Sequence, residues 1–475
     1  MLLKIEKGNQ SPVSLNLPLP KRFNAGAIAE RTVFYGLLLT IFLTAIPYGT
    51  VDPWFKSLFV VLICIFAAFR IVLSVLVGKG AELFADRLFF APLLGILLLA
   101  VIQIIPFRNS VISLDVFETK SFIVTFAALI LTGEILLHYT TTAKRLRNLI
   151  YLVLIIGIGS AAFGLLRLQF SFESFFSTDI LGENVQYAQF VNRNHFAYLM
   201  EMTLGLLIGL LLRAKISKWL KPAFWVMIAL VFSSVILTNS RGGILSAAGI
   251  VVFAAFIYFL TGKKNPRSTW GKNLFSDTNG GSRLKTILVA LSFMALLFGV
   301  AVFTVAFVGG DSAAGRLGEI QNEIQDNNER KKLRRIDIWE ATWELIKDNP
   351  VVGIGFGAYP SAITRYDTAP GKMSLQQAHN DYLELMAAGG LTAVLLMLFF
   401  IIIVVKRILK QFFSPNKFRR ASCFGAVLGI CGVFLHSITD FGLHVLVNAL
   451  VLTILVVIAA ADTDSNAEIT VAVAS

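Results

Sequence analysis

The amino-acid sequence predicts an all-α fold, a polytopic bundle of about twelve transmembrane helices. Composition is the first reason: hydrophobic residues occupy 56% of the 475 positions, only 15% are charged, and the mean hydropathy is +0.74. These values lie outside the range of soluble domains. The second reason is that several uncharged runs, such as 244–260 and 287–308, approach or reach the roughly 20 apolar residues that cross a bilayer.

Apolar runs between polar breaks define the candidate spans. They lie near 33–50, 55–78, 88–105, 120–138, 148–168, 194–212, 222–238, 243–261, 285–308, 382–405, 421–438 and 444–461. Lys and Arg concentrate in alternate loops, and basic loops remain on the cytoplasmic side of a membrane. This rule predicts that both termini are cytoplasmic and that the loops 169–193, 239–243 and 309–381 face outward.

The predicted spans divide the chain into five parts. These are a cytoplasmic N-terminal segment (1–30), nine transmembrane helices (31–308), a periplasmic loop domain (309–381), three further transmembrane helices (382–461) and a cytoplasmic tail (462–475). In the loop domain, apolar residues recur at helical spacing between 330 and 349, and Asn349 and Pro350 end the pattern. The pattern predicts an amphipathic helix between the ninth and tenth spans.

Composition and spacing argue against several other functions. The net charge of +13 does not indicate nucleic-acid binding, because the basic residues lie in short loops between apolar runs. The glycines of 352–359 lack the spacing of a nucleotide-binding loop and instead predict a tight turn against the membrane domain. No metal or other cofactor is expected, since only His436, Asp440 and His444 approach a ligand spacing, and only weakly.

His379 is the histidine in the most polar surroundings, in the stretch 376–384 where the long outward loop enters the tenth span. An imidazole there can accept a proton near neutral pH, so His379 is a candidate general base. The alternative is a helix-capping or interfacial histidine. Asn380 or Asp381 could supply the cap instead and leave His379 free.

Arg241 and Arg335 are candidate anion-binding residues. Arg241 lies in a turn so short that its guanidinium must sit at the outer edge of two apolar helices, which is costly unless an anion or a carboxylate pairs with it. It is therefore a clamp on phosphate, or else a structural ion pair or a snorkelling arginine. Arg335 ends the basic run 330–335, one helical turn before Trp339. That run either contacts solvent and anionic lipid, or directs Arg335, rather than Arg334, towards the same anion as Arg241.

Four further polar residues border the outward loops: Arg193, His195, Asp381 and Asp440. Either they line one cavity with the three residues above, or each of them caps a helix or satisfies a buried hydrogen bond. The sequence leaves both interpretations open.

Three motifs, in this order along the chain, resemble the O-antigen ligase family, which also holds O-antigen and exopolysaccharide polymerases. They are 239–243, then 335–339 followed by 349–355, and finally 378–384. The resemblance covers roughly 30–460 and includes the long outward loop between the last spans. It implies a multi-pass enzyme of the bacterial inner membrane whose active face is periplasmic.

The resemblance further implies that a glycan is transferred from undecaprenyl pyrophosphate to an acceptor hydroxyl, such as that of a lipid A core sugar, by a metal-independent, inverting mechanism. In that reaction His379 would take the acceptor's proton, and Arg241 and Arg335 would bind the pyrophosphate. A polymerase that uses a lipid-linked glycan as acceptor shares these motifs and stays open. A lipid or glycan transporter and an export scaffold are rival classes, but transporters commonly bind their cargo near mid-membrane, whereas the polar groups here crowd one face.

Overall fold

The computed structural model describes residues 25–46, 53–76, 84, 86–108, 110–170, 187–260, 335–366 and 375–463. Within these ranges the regular structure consists of thirteen α-helices and one short 3-10 helix, and no strand is formed there. The predicted ninth span at 285–308, most of the basic run that precedes Arg335, and both ends of the chain lie outside the described residues.

The helices follow one another with short connections in most of the chain. They are α1 (Ala25–Thr44), α2 (Pro53–Leu76), α3 (Arg87–Ile104), α4 (Val116–Tyr139), α5 (Ala143–Phe170), α6 (Arg193–Arg213), α7 (Lys221–Leu237), α8 (Arg241–Leu260), α9 (Arg335–Asp348), α10 (Tyr359–Ile363), α11 (Asp381–Phe412), α12 (Lys417–His436) and α13 (Leu446–Ala460), with the 3-10 helix Gly442–His444 between the last two.

Seven of the described helices are long and apolar enough to cross a membrane, and α7, α8 and α13 contain shorter apolar stretches. The predicted spans coincide with α1 to α8 and with α11 to α13, so the prediction of an all-α bundle with many apolar spans is confirmed. The largest differences are at the start of α1, which begins at Ala25 rather than near 33, and at the end of α11, which reaches Phe412 rather than 405. Hydropathy marks only the apolar part of a helix, whereas backbone hydrogen bonding continues through its polar ends.

Glycines allow helices α6 and α12 to pack closely on each other. A Cβ atom built on Gly205 of α6 would lie 2.2 Å from the backbone nitrogen of Gly429, and one built on Gly209 would lie 2.2 Å from the Cα of Gly425 in α12. Each pair is spaced by four residues, so the glycines form one face on each helix. Small residues at this spacing allow helix backbones to approach closely in a membrane. As a result, every side chain of α6 from His195 to Leu210 is buried.

Helix α11 is interrupted in its N-terminal part. Gly390 has φ +62° and ψ −164°, a conformation open to glycine but not to helical residues. The loop after α9 fills this interruption and replaces the missing helical hydrogen bonds. Four backbone hydrogen bonds of 2.8 to 3.1 Å join the two segments: Ile354 and Gly355 donate to Ala387 and Ala388, and Leu391 and Thr392 donate to Pro350 and Val351. Broken helices are stable in a membrane protein when other protein groups satisfy the freed backbone in this way.

Gln103 near the end of α3 holds the loop and the interrupted helix together. Its amide nitrogen donates to the carbonyls of Val352 (2.6 Å) and Ala388 (2.9 Å), and its amide oxygen accepts from Phe356 N (3.2 Å). The glycines at 353, 355 and 357 all have positive φ angles. The predicted tight turn against the membrane domain is therefore confirmed.

Helix α9 confirms the predicted amphipathic segment, although the buried face differs in part from the predicted one. Ile338, Leu345 and Ile346 are buried, whereas Ile336 and Trp343 are exposed. Because α9 is joined to the loop that enters α11, its first residue, Arg335, is brought to the rim of the bundle.

We expect Gly205→Ala to destabilise the protein by about 1–3 kcal/mol, because the new methyl group would overlap the backbone of α12. Gly159→Ala in α5 is the matched control, since a Cβ atom there meets nothing within 4 Å. The control should be neutral or slightly stabilising, by up to about 1 kcal/mol. Thermal unfolding of the purified protein in detergent measures both changes, and equal effects of the two substitutions would contradict the close contact.

Candidate functional site

Asp440 lies at the centre of a cluster of polar side chains in the connection between α12 and α13. Its carboxylate is fully buried and accepts hydrogen bonds from the Asn194 side chain (2.5 Å) and from Phe441 N (2.9 Å). Two further groups face it at ion-pair distance, Arg335 Nη2 at 3.7 Å and His379 Nδ1 at 3.7 Å. One carboxylate thus holds together residues that are up to 246 positions apart in the sequence.

His195 completes the cluster. Its Nε2 lies 4.0 Å from Asp440 Oδ1, the oxygen that also faces His379, and its ring packs edge-to-face on Phe441 with centroids 4.8 Å apart. The His379 ring makes a similar contact with Phe441 at 4.9 Å. Phe441 therefore separates the two imidazoles while both remain next to the same carboxylate.

Three residues of the cluster lie at two helix N-termini. Asn194 and His195 are in the first turn of α6, and His379 immediately precedes the N-cap of α11, while Arg335 is the first described residue of α9. Helix N-termini present free N–H groups and partial positive charge. This end of the bundle is therefore electrostatically suited to an anionic ligand.

The environment of Asp440 favours its ionised form. Burial alone would raise the pKa of this carboxyl, but the His379 side chain, the Phe441 amide and the nearby His195 outweigh burial and hold the pKa at about 2, below the usual 3.8. A carboxyl whose pKa is lowered on folding stabilises the folded state above its unfolded pKa and loses that contribution as the pH falls towards 2. Asp440 is consequently a permanent negative charge throughout the neutral range.

His379 has an unusual backbone conformation for a non-glycine residue, with φ +50°. Such a conformation costs on the order of 1–2 kcal/mol and is found where the surroundings enforce it, often at functional sites. Asn380, not His379, caps α11, because its side chain accepts from Tyr382 N and Leu383 N. The alternative that His379 serves as a helix cap is therefore wrong.

The orientation of the His379 ring leaves one nitrogen for a ligand. Nδ1 is buried against Asp440, with no hydrogen bond in the described part of the chain, while about one third of the side chain is exposed. The exposed part is thus the side of the ring that carries Nε2. Arg335 is more open, with 45% of its side chain exposed.

Arg241 lies on the turn next to this cluster. It is the exposed first residue of α8, and within the described residues it makes no hydrogen bond or ion pair. The following residue, Gly242, packs so closely on the end of α12 that a Cβ atom would lie 2.7 Å from the His436 ring. The turn that bears Arg241 therefore rests on the last turn of α12, one turn before Asp440.

The other predicted cavity residues differ in position. Arg193 is exposed at the start of α6, beside Asn194. Asp381 accepts a hydrogen bond from Ser437 (2.7 Å) and lies 3.8 Å from His444. His436 pairs instead with buried Glu201 at 2.7 Å. Among the residues that the structure describes, no three His, Cys, Asp or Glu side chains are arranged to hold a metal ion.

Several residues of the cluster were not predicted from the sequence. Nothing in the sequence distinguishes Asn194 except its position in a polar helix start, and nothing distinguishes Phe441 in a loop next to apolar helices. Glu201 did have a signal, because an ionisable residue inside an apolar span is rare and needs a partner. That partner, His436, is 235 residues away in sequence and could not be identified from spacing.

Comparison with known families identifies the segment that contains three of these residues. The O-antigen ligase family matches residues 223–398. The resemblance inferred from the sequence motifs is confirmed for this segment, which includes Arg241, Arg335 and His379. No curated protein matches the chain.

The O-antigen ligase match supports a membrane glycosyltransferase of the ligase and polymerase type. It extends from α7 into α11, across the described helix α9 and the interruption at Gly390. Together with the apolar helices, it indicates a multi-pass membrane protein. The matched segment does not include Asn194, His195 or Asp440, so this ligase-like site is completed by residues on both sides of the matched segment.

We expect Asp440→Asn to lower the free energy of unfolding by about 1–3 kcal/mol, because hydrogen bonds to a buried charge are replaced by weaker ones. Asp462→Asn is the matched control: Asp462 is mostly exposed and pairs with Lys410, and such surface pairs contribute about 0–1 kcal/mol. Thermal unfolding should show a constant difference between wild type and Asp440→Asn from about pH 5 to 8, with a decrease as the pH falls from the unfolded pKa of 3.8 towards the folded Asp440 pKa of about 2. A difference that already disappears near neutral pH would contradict the ionised state of Asp440.

Proposed function

We propose that this protein transfers a glycan from undecaprenyl pyrophosphate to an acceptor hydroxyl, at the periplasmic face of a bacterial inner membrane. The observation that supports this proposal most directly is the position of Asp440 between His379 and Arg335, at 3.7 Å from each. A proton acceptor and an anion-binding group are thereby brought next to each other. Glycan transfer from a pyrophosphate needs both.

His379 is the proposed general base. The acceptor oxygen attacks the anomeric carbon, its proton moves to Nε2 of His379, and the bond between that carbon and the pyrophosphate oxygen breaks. Attack from the face opposite the leaving group inverts the anomeric configuration. Asp440 holds Nδ1 of the ring and stabilises the imidazolium that forms, in the way that a buried carboxylate supports a catalytic histidine in other enzymes.

Arg335 and Arg241 are the proposed binding residues for the pyrophosphate. As the bond to the sugar breaks, negative charge grows on the leaving group, and fixed cations lower the energy of that state. A guanidinium has five N–H donors, so Arg335 can stay near Asp440 and still donate to a phosphate with its exposed side. Arg241 has no protein partner in the described part of the chain, so its donors are available to the second phosphate. In this proposal the arginines supply the charge stabilisation that a metal supplies in other transferases, and no cofactor is needed.

The choice between ligase and polymerase depends on the acceptor. A ligase would use a sugar of the lipid A core, and a polymerase would use a second lipid-linked glycan. The cluster around Asp440 serves either reaction equally, because base and leaving-group chemistry are the same. The distribution of Lys and Arg supports a periplasmic orientation of the site, with both termini in the cytoplasm. Transport is less well supported, because transporters commonly bind their cargo near mid-membrane and the described cluster lies near one end of the bundle.

The central test is an assay of purified protein with an undecaprenyl-pyrophosphate glycan, candidate acceptors and a chelator. We expect a new glycosidic product, and the acceptor that is consumed distinguishes ligase from polymerase. His379→Ala should lower kcat by about 10²–10⁴-fold, since it removes the base, with less effect on donor KM. His138→Ala, at an exposed position near the end of α4, is the control and should retain full activity. Full activity of His379→Ala, or dependence on an added divalent metal, would contradict the mechanism.

Arg335→Ala should affect both kinetic constants, because the guanidinium binds the donor and also stabilises the leaving group. We expect a higher donor KM and a kcat lower by about 10²-fold or more, as for the loss of one donor to a developing charge in other enzymes. Arg335→Lys should recover little, because lysine cannot contact a carboxylate and a phosphate with a rigid planar group. Arg365→Ala, at an exposed position after α10, is the matched control. A change in KM alone would limit Arg335 to donor binding.

A further inference from the structure

The strained conformation of His379 is held by hydrogen bonds to its neighbours in the chain. Trp339 Nε1 of α9 donates to Ala378 O (3.1 Å), and Ala378 N donates to a carboxylate oxygen of Glu384 (3.0 Å). On the other side of His379, Asp381 N donates to Ser437 O (3.0 Å). The backbone is therefore held at Ala378, immediately before the imidazole, and at Asp381, two residues after it, by groups from α9, α11 and the connection after α12.

Glu384 has the most unusual role among these residues. It lies in the first turn of α11, only 6% of its surface is exposed, and its second oxygen is 3.3 Å from His444 Nε2. Burial of a carboxylate is costly, and an apolar side chain would pack there without that cost. Helix α11 does not need Glu384 as a cap, because Asn380 already provides one. What this carboxylate provides instead is an acceptor for the amide of Ala378.

Trp339 connects the same residue, Ala378, to the anion-binding side of the site. It lies four residues after Arg335, so both side chains are on one face of α9. Arg335 faces Asp440 while Trp339 holds the Ala378 carbonyl. The position of the helix that would contact the donor is therefore tied directly to the turn that carries the proposed base.

We propose that Glu384 is a positioning residue for glycan transfer, which acts by holding the Ala378 peptide so that His379 stays in its left-handed conformation with Nδ1 on Asp440. This inference rests on the proposed function, since it assumes that His379 is the base. Without the Glu384 acceptor, the backbone at His379 is free to return to an ordinary conformation. The imidazole would then move away from Asp440 and from the acceptor hydroxyl.

Steady-state kinetics of Glu384 variants provide the first test. Glu384→Ala should lower kcat by about 10–100-fold, which is the usual effect of a misplaced catalytic group, while donor KM stays within about twofold. Glu384→Gln should retain kcat within about threefold, because its amide oxygen can still accept from Ala378 N. Glu344→Ala, at an exposed position on α9, is the control. If Glu384→Gln is as impaired as Glu384→Ala, or if Glu384→Ala has wild-type kcat, the proposal is overturned.

A second test separates positioning from general loss of structure. In His379→Gly the base can be supplied as free imidazole, whose position does not depend on the backbone at residue 379. In the wild-type background, we expect Glu384→Ala to lower the rate by about 10–100-fold. In the His379→Gly background, the same substitution should change the rate by less than about threefold, both with imidazole added and without it. An equal loss in both backgrounds would show that Glu384 acts by another route and would overturn the proposal.

The two tests also distinguish failure of this inference from failure of the proposed function. If His379→Gly is as active as wild type without imidazole, His379 is not the base, and the proposed mechanism fails together with the role of Glu384. If His379→Gly is impaired and Glu384→Ala is not, only the role of Glu384 fails. Thermal unfolding of each variant checks that it is folded, and Glu384→Gln, which keeps the size of the side chain, provides the comparison if Glu384→Ala does not fold.

Discussion

The close contact between α6 and α12 is the constraint on which the candidate site depends. Four glycines allow the two backbones to meet, so the starting turn of α6 and the connection after α12 lie side by side. Asn194 can then donate a hydrogen bond to Asp440. One helical turn before Asp440, buried His436 pairs with Glu201 and fills the space between α6 and α12. A larger separation would leave a fully buried carboxylate without its donors, which is among the most costly defects in a protein interior.

The second requirement is that helix α9 keep a fixed position relative to α6 and α12. The loop that follows α9 forms hydrogen bonds with the backbone of α11 on both sides of its interruption. The same hydrogen bonds therefore fix the position of α9. Arg335 at the start of α9 and His379 before α11 then reach Asp440 from different directions. The site therefore forms only when separate parts of the chain have packed, and its charges are paired as a consequence of that packing.

Much of the fold and part of the candidate site were predictable from the sequence, for reasons that apply to particular residues. Spans such as α5 and α11 are predictable because water-to-lipid transfer acts on local composition. Arg335 and His379 could be singled out because polar residues at helix starts near a long outward loop are unusual. The central role of Asp440 was not predictable, since its partners are 61 to 246 residues away. The left-handed conformation of His379 depends likewise on Glu384 and Trp339, whose contacts exist only in the folded chain.

Gln103 has a consequence for any motion that admits substrates. This one amide bonds to the inserted loop through Val352 and Phe356 and to the interrupted helix through Ala388, so movement of either away from α3 breaks hydrogen bonds to Gln103. Opening by rotation of α9 alone is thereby disfavoured. A wider entrance that keeps these bonds would instead require α9, the glycine loop and both sides of the interruption in α11 to shift together with α3.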